Sequence, residues 1–215
     1  MRIGLLGGTG KEGKGIASRW ARAGHEVTIG SRDPERAKAR AEELRAAGHG
    51  SIEGGDNRWA AERSEVVLLC VPYAAHEATL QSVKDVLPGR ILIDITVPLR
   101  PPTVFEVHLP AGTSAALEAQ AIVGPSVTVV ATLHHISSVA LADPSHAIEG
   151  EVLYCTDDQA ARSVTETLLV DLGARPLDAG PLRNAVALES LTPVLLHIGK
   201  KYKARGAGIH ITGLP

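Results

Sequence analysis

The sequence predicts an α/β protein: a doubly wound parallel sheet followed by a small C-terminal α/β or helical domain. Three observations predict it. Short apolar runs alternate with helical stretches along the chain. Several of those runs are almost continuously hydrophobic, as strands covered on both faces must be. A glycine-rich turn separates the first strand from the first helix.

The elements follow in order. Residues 2–6 form the first strand and residues 14–23 the first helix, with a second strand at 26–29. A helix over 34–47 carries Pro34 in its first turn, where the missing N–H costs nothing. A weak strand at 51–53 precedes stronger ones at 65–71, 90–95 and 127–131, with helices over 74–87 and 113–122 between them. Residues 132–148 are polar and irregular, which places a domain boundary there: a nucleotide-binding domain over 1–145 and a smaller domain over 146–215. Strands at 152–155 and 175–177 and helices over 158–172 and 182–203 complete the chain. In the last helix Leu188, Leu191, Leu195 and Ile198 follow the three-and-four spacing of one apolar face. Pro193 is expected to kink or break it.

Composition narrows the function classes. The 215 residues are 44 % apolar and 21 % charged, with a formal charge of −2. That balance gives no reason to expect a nucleic-acid partner. No apolar stretch approaches the roughly 20 residues of a membrane span, and the chain opens without a cleavable leader pattern, so a cytoplasmic protein is expected. Cys70 and Cys155 each sit in an apolar run and read as buried thiols rather than a disulfide framework.

The glycine turn is the first motif with chemistry. Gly8, Gly10 and Gly13 spell G-x-G-x-x-G between strand and helix, and a second strand follows in the right place. Glycine allows the tight turn and lets the backbone approach a pyrophosphate, while the helix start presents free N–H groups. Gly8, Thr9, Gly10, Lys11, Glu12 and Gly13 are therefore the candidate dinucleotide cradle of a Rossmann-type domain. The second strand ends in Ser31 and Arg32, with Arg36 one helical turn later. An NAD site places a carboxylate at this strand end. A hydroxyl and two guanidinium groups suit a 2′-phosphate instead, so NADP is the expected coenzyme. Asp33 is out of keeping with that reading. Val71, Pro72 and Tyr73 close another strand at the same carboxyl edge, where Tyr73 either walls the nicotinamide pocket or packs at its rim. His134 and His135 follow the 127–131 strand and reach that edge too. Neighbouring histidines project differently, so a shared metal is not expected.

Two common reductase chemistries are missing. Tyr73, Tyr154 and Tyr202 are followed four residues later by Glu77, Asp158 and Gly206, never by a lysine. The last long helix, over 182–198, also lacks one.

The chain resembles NADPH-dependent F420 reductases (coenzyme F420H2:NADP+ oxidoreductases) over nearly its whole length. The matching stretches are MRIGLLGGTGKEGKG at the start, GHEVTIGSRDPERA at the second strand, VPY at 71–73, TLHHI at 132–136 and RPLDAGPLRNAVALESLTPVLLHI at 175–198. The resemblance implies direct hydride transfer between NADP(H) and the deazaflavin coenzyme F420. It implies nucleotide contacts from Gly8, Thr9, Gly10, Ser31, Arg32 and Arg36. It also implies deazaflavin contacts from His134, by hydrogen bonding, and from Ile136, by packing on the ring. The segments 94–100 and 135–138 depart from the family pattern beside the second-substrate pocket. A homodimer of a small-molecule redox enzyme is the expected assembly. The basic cluster Lys200, Lys201, Lys203 and Arg205 suits either the dipole of the last helix or an anionic coenzyme tail. Two alternatives stay open: an NADPH-dependent reductase of another acceptor (a flavin, an imine or a metal chelate), or an NADPH-binding sensor without catalysis.

Overall fold

The computed structural model describes residues 1–143, 148–204 and 206–214. Its strands are β1 (Arg2–Leu6), β2 (Glu26–Ser31), β3 (Ile52–Asp56), β4 (Val66–Leu69), β5 (Ile91–Asp94), β6 (Thr128–Thr132), β7 (Glu151–Cys155) and β8 (Arg175–Asp178). Its α-helices are α1 (Lys11–Arg22), α2 (Pro34–Ala46), α3 (Asn57–Glu62), α4 (Tyr73–Val83), α5 (Ala115–Val123), α6 (Ser138–Ala142), α7 (Gln159–Asp171) and α8 (Ala185–Tyr202).

All strands join one sheet in the order β3-β2-β1-β4-β5-β6-β7-β8. The first six run parallel. β7 turns antiparallel to β6, and β8 runs parallel to β7. The strand order reverses between β1 and β4, so the carboxyl edge opens a crevice at the glycine turn. The expected division between residues 145 and 146 lies outside the described residues. Beyond it, β7 and β8 continue the same sheet.

Both faces of the sheet are dry, which explains the near-continuous apolar runs. Ile3, Leu5, Leu68 and Ile93 face α1, α2 and α7, meeting Ile16, Trp20, Leu44 and Leu168. Leu6, Val67, Leu69 and Leu92 face the other way, toward Ala60, Leu80, Ala116 and Leu188 of α3, α4, α5 and α8. Side chains alternate across a strand, so a strand buried on both faces has no polar phase.

Local chemistry sets several boundaries. α1 starts at Lys11, a turn earlier than the sequence suggests, because Gly13 and Gly15 tolerate helix where a close neighbour requires them. Asp33 caps α2 through the N–H of Arg36. Asp56 caps α3 through the N–H of Trp59, and Ser137 caps α6 through that of Val139. These last two helices are too short to show a period and were not expected from the sequence. The strand anticipated over 65–71 ends at Leu69, and Cys70, Val71 and Pro72 leave the sheet to border the crevice. α8 runs unbroken through Pro193. Its buried residues, Ala185, Leu188, Glu189 and Pro193, all lie in its first half, whereas Val194, Leu196, Ile198 and Tyr202 are exposed.

α1 also carries the C-terminal part of the chain. The fully buried Trp20 donates from Nε1 to the carbonyl of Leu168 at 2.9 Å. The buried Arg19 guanidinium donates to the carbonyls of Ala140, Leu141 and Leu172, which close α6 and α7. Trp20→Ala should therefore destabilise the protein by about 3–5 kcal/mol in denaturant titration. A loss below about 1 kcal/mol would show that α1 and α7 are not held by this contact.

Candidate functional site

The carboxyl ends of β1, β2, β4, β5 and β6 meet at one edge, and the candidate residues are distributed along it. The chain leaves β1 through Gly7, whose φ of +73° requires glycine. This is one residue before the G-x-G-x-x-G pattern. A Cβ on Gly13 would lie 2.5 Å from the carbonyl oxygen of Gly8, so Gly13 seats the helix directly on the turn. A Cβ on Gly10 would meet nothing within 4 Å, so this backbone is open to approach. Gly10 is also the N-cap of α1, and no side chain caps that end. The first N–H groups of an uncapped helix start form an anion site, reinforced by the helix dipole. Thr9 is buried within the turn and Lys11 is exposed beside it. Glu12 is exposed on the first turn, yet burial of its carboxyl group raises its pKa.

Asn57, which sequence reading missed, holds the turn from behind. Its Oδ1 accepts the N–H of Gly7 at 3.1 Å. Its Cα approaches Gly30 so closely that a Cβ there would lie 2.9 Å away. No motif marks an asparagine in this role, although its place one residue after the capping Asp56 was open to notice.

At the end of β2 the buried Ser31 accepts the N–H of Asp33 through its hydroxyl at 3.1 Å. Asp33 in turn uses its carboxylate to cap α2, which accounts for an acidic residue between Arg32 and Arg36. Arg32 and Arg36 are exposed. Along α2, Lys38, Arg40 and Arg45 each pair with a glutamate. Neither the Arg32 nor the Arg36 guanidinium has an ion-pair partner among the described residues.

On the other side of the crevice, Val71 packs over Gly7 and Pro72 opens α4. Tyr73 is half-buried, and its hydroxyl donates to Glu118 Oε2 at 2.8 Å. Burial, then that carboxylate, pushes the phenol up to about 12. Tyr73 is thus a neutral phenol. The Cys70 thiol, also pushed up to about 12 by burial, stays protonated.

The end of β6 is the most constrained part. Leu133 has a φ of +66°, a left-handed conformation that costs a branched-chain residue roughly 1–3 kcal/mol. The N–H of Ile136 returns to the Leu133 carbonyl, so His134 and His135 occupy the centre of a turn. Their roles divide. His135 Nε2 lies 3.2 Å from both the Leu153 N–H and the Glu151 carbonyl, tying it to β7. His134 is 4 % exposed, and neither ring nitrogen has a partner among the described residues. Burial lowers its pKa to about 4, against the opposing charge of Asp94. It is therefore a neutral imidazole with unused hydrogen-bonding capacity. Ile136 is partly buried beside it. Behind the turn, Asp94 accepts the N–H of Thr96 and sits 2.8 Å from His76 Nε2 in a fully buried pair. No group of three or more metal-ligating side chains occurs among the described residues.

At the end of α8, Lys200 Nζ lies 4.4 Å from the centroid of the Phe105 ring and Lys201 Nζ 5.4 Å from that of Tyr202. Arg205 lies outside the described residues.

Comparison with known proteins bears on this arrangement. Residues 2–98 match the family model described as NADP oxidoreductase, coenzyme F420-dependent. A protein of Methanothermobacter marburgensis named F420-dependent NADP reductase is 39 % identical over 223 residues, spanning all of both chains. One of the same name from Methanocaldococcus jannaschii is 33 % identical over 225 residues, spanning all of this chain and 99 % of the relative. A crystal structure of a provisionally named F420-dependent NADP reductase from an Arthrobacter species superimposes with a TM-score of 0.85 at 28 % identity. It covers 99 % of this chain and 100 % of its own.

The buried His134 has a consequence for stability. Its folded pKa of about 4 lies below its ordinary value of 6.5, so the unfolded chain binds the proton first. The stability this contributes is complete above pH 6.5 and is lost as pH falls toward 4. His134→Gln should lose less stability than the parent between pH 7 and pH 5 in urea titrations. Equal losses would refute the buried neutral imidazole.

Proposed function

This chain belongs to the family of NADP oxidoreductases that depend on coenzyme F420, and we propose that it moves a hydride directly between NADP(H) and that deazaflavin. When both coenzymes are bound, nicotinamide C4 and deazaflavin C5 supply the two carbons between which the hydride passes. The protein's task is then alignment of two flat rings at near-contact distance, with water excluded.

One observation carries the choice of coenzyme. An uncapped helix start with an open Gly10 lies at the same edge as two guanidinium groups that lack carboxylate partners. The backbone N–H groups between Gly8 and Gly13 take the pyrophosphate, with Thr9 and Lys11 beside it. Ser31, Arg32 and Arg36 take the 2′-phosphate through charge-assisted hydrogen bonds. Val71, Pro72 and Tyr73 wall the nicotinamide. His134 hydrogen-bonds the deazaflavin head, and Ile136 packs on its ring. We assign this activity to a cytoplasmic homodimer. The exposed Val194, Leu196 and Ile198 of α8 support an association surface. No helix among the described residues is long and apolar enough to cross a membrane.

Two experiments test the reading. Arg32→Ser/Arg36→Ser should weaken NADPH binding by about tenfold or more in calorimetry and leave NADH nearly unchanged, the loss expected of one or two charge-assisted contacts. Equal weakening of both coenzymes would sink the 2′-phosphate assignment. The parent protein should oxidise NADPH, followed by absorbance, with coenzyme F420 and not with free flavin. Turnover with flavin alone would point to another acceptor, and tight NADPH binding without turnover would point to a sensor.

A further inference from the structure

We propose that Glu189 and Thr192 of α8 act as a positioning clamp for the deazaflavin side of the site. The two residues stand three apart, so they share one face of the helix. Glu189 is 3 % exposed, and its two oxygens accept the N–H groups of Ala115 at 2.8 Å and Ala116 at 3.1 Å. This carboxyl group, whose pKa burial pushes up to about 8, thus satisfies the first two donors of α5, in addition to the Ser114 side chain that caps the N–H of Leu117. One turn further on, the Thr192 hydroxyl donates to the main-chain carbonyl of His134 at 2.5 Å.

That carbonyl belongs to a turn that does not hold itself in place. Leu133 is left-handed with φ at +66°, and within the turn a single backbone hydrogen bond, Ile136 to Leu133, closes it. A strained backbone persists only where its surroundings over-determine it. The His135 ring already ties one end of this peptide to β7, and the Thr192 hydroxyl fixes the other, the His134 carbonyl, next to the imidazole. Glu189 fixes α8 against α5, so the hydroxyl arrives at a set height above β6. α5 in turn carries Glu118, which accepts the Tyr73 hydroxyl. A single helix face therefore ties together the two sides of the crevice. Neither residue reaches the reacting atoms; both act through His134 and through the α5 start.

This inference rests on the reading of His134 as a deazaflavin contact, and the test separates the two. Thr192→Val keeps the shape and removes the donor; Thr192→Ser keeps the donor. Coenzyme F420 binding is read by its fluorescence, NADPH binding by calorimetry, and the turn by amide hydrogen exchange at Ile136. Thr192→Val should weaken F420 binding about fivefold or more. It should raise KM for F420 more than it lowers kcat, speed exchange at Ile136, and leave NADPH binding unchanged. Thr192→Ser should restore all of these. Glu189→Gln, whose amide cannot accept both N–H groups, should speed exchange at Ala115 and Ala116 and weaken F420 in the same selective way. If Thr192→Val and Thr192→Ser bind F420 alike, or if NADPH binding falls equally, the clamp is overturned. A parent protein with no affinity for F420 would overturn the functional reading, and with it the clamp's role toward this ligand.

Discussion

A helix start without a side-chain cap, that of α1, is the constraint around which the upper edge of the sheet is arranged. A helix start is normally silenced by a side chain, as Asp33, Asp56, Ser114 and Asp158 silence theirs. At α1 the capping position is Gly10, and nothing fills it. Keeping it bare requires a turn made almost entirely of main chain. That turn needs the left-handed Gly7, the Gly8–Gly13 contact and the brace from Asn57. The crevice wall from β4 and the cations beside β2 are placed relative to this one exposed set of donors.

Much of this was legible in the sequence, for reasons that can be named. The strands announce themselves because burial on both faces leaves them no polar phase. The glycine turn, Ser31, Arg32 and Arg36 are local in sequence, so a motif can find them. Asp33 looked contrary only because its partner, the N–H of Arg36, is a backbone group without a letter. What escaped was either too short or too distant. α3 and α6 are too brief to show a period. Asn57 reaches Gly7 across fifty residues, and Glu189 reaches Ala115 across seventy-four. The resemblance singled out His134; its burial and the division of labour with His135 depend on the left-handed Leu133, which no letter encodes.

The two halves of the site differ in kind. The half we assign to the nucleotide is built on exposed cations and open backbone, where electrostatics are weakened by water and salt. The other half is buried and neutral at His134, held by Thr192 and Glu189 of α8 and by His135 on β7. A hydride transfer between two coenzymes uses both styles. One partner has to be selected by a phosphate, while the other has to be held flat and dry.

The outer strand β8 has an effect beyond the site. Its sequence, Arg175-Pro176-Leu177-Asp178, puts charges at both ends and a proline between them. A row of unpaired backbone groups at a sheet margin invites recruitment of another strand, and proline and charge discourage it. Fibrillar growth along this margin is therefore disfavoured, and the sheet on this side ends at β8 rather than extending into a neighbouring molecule.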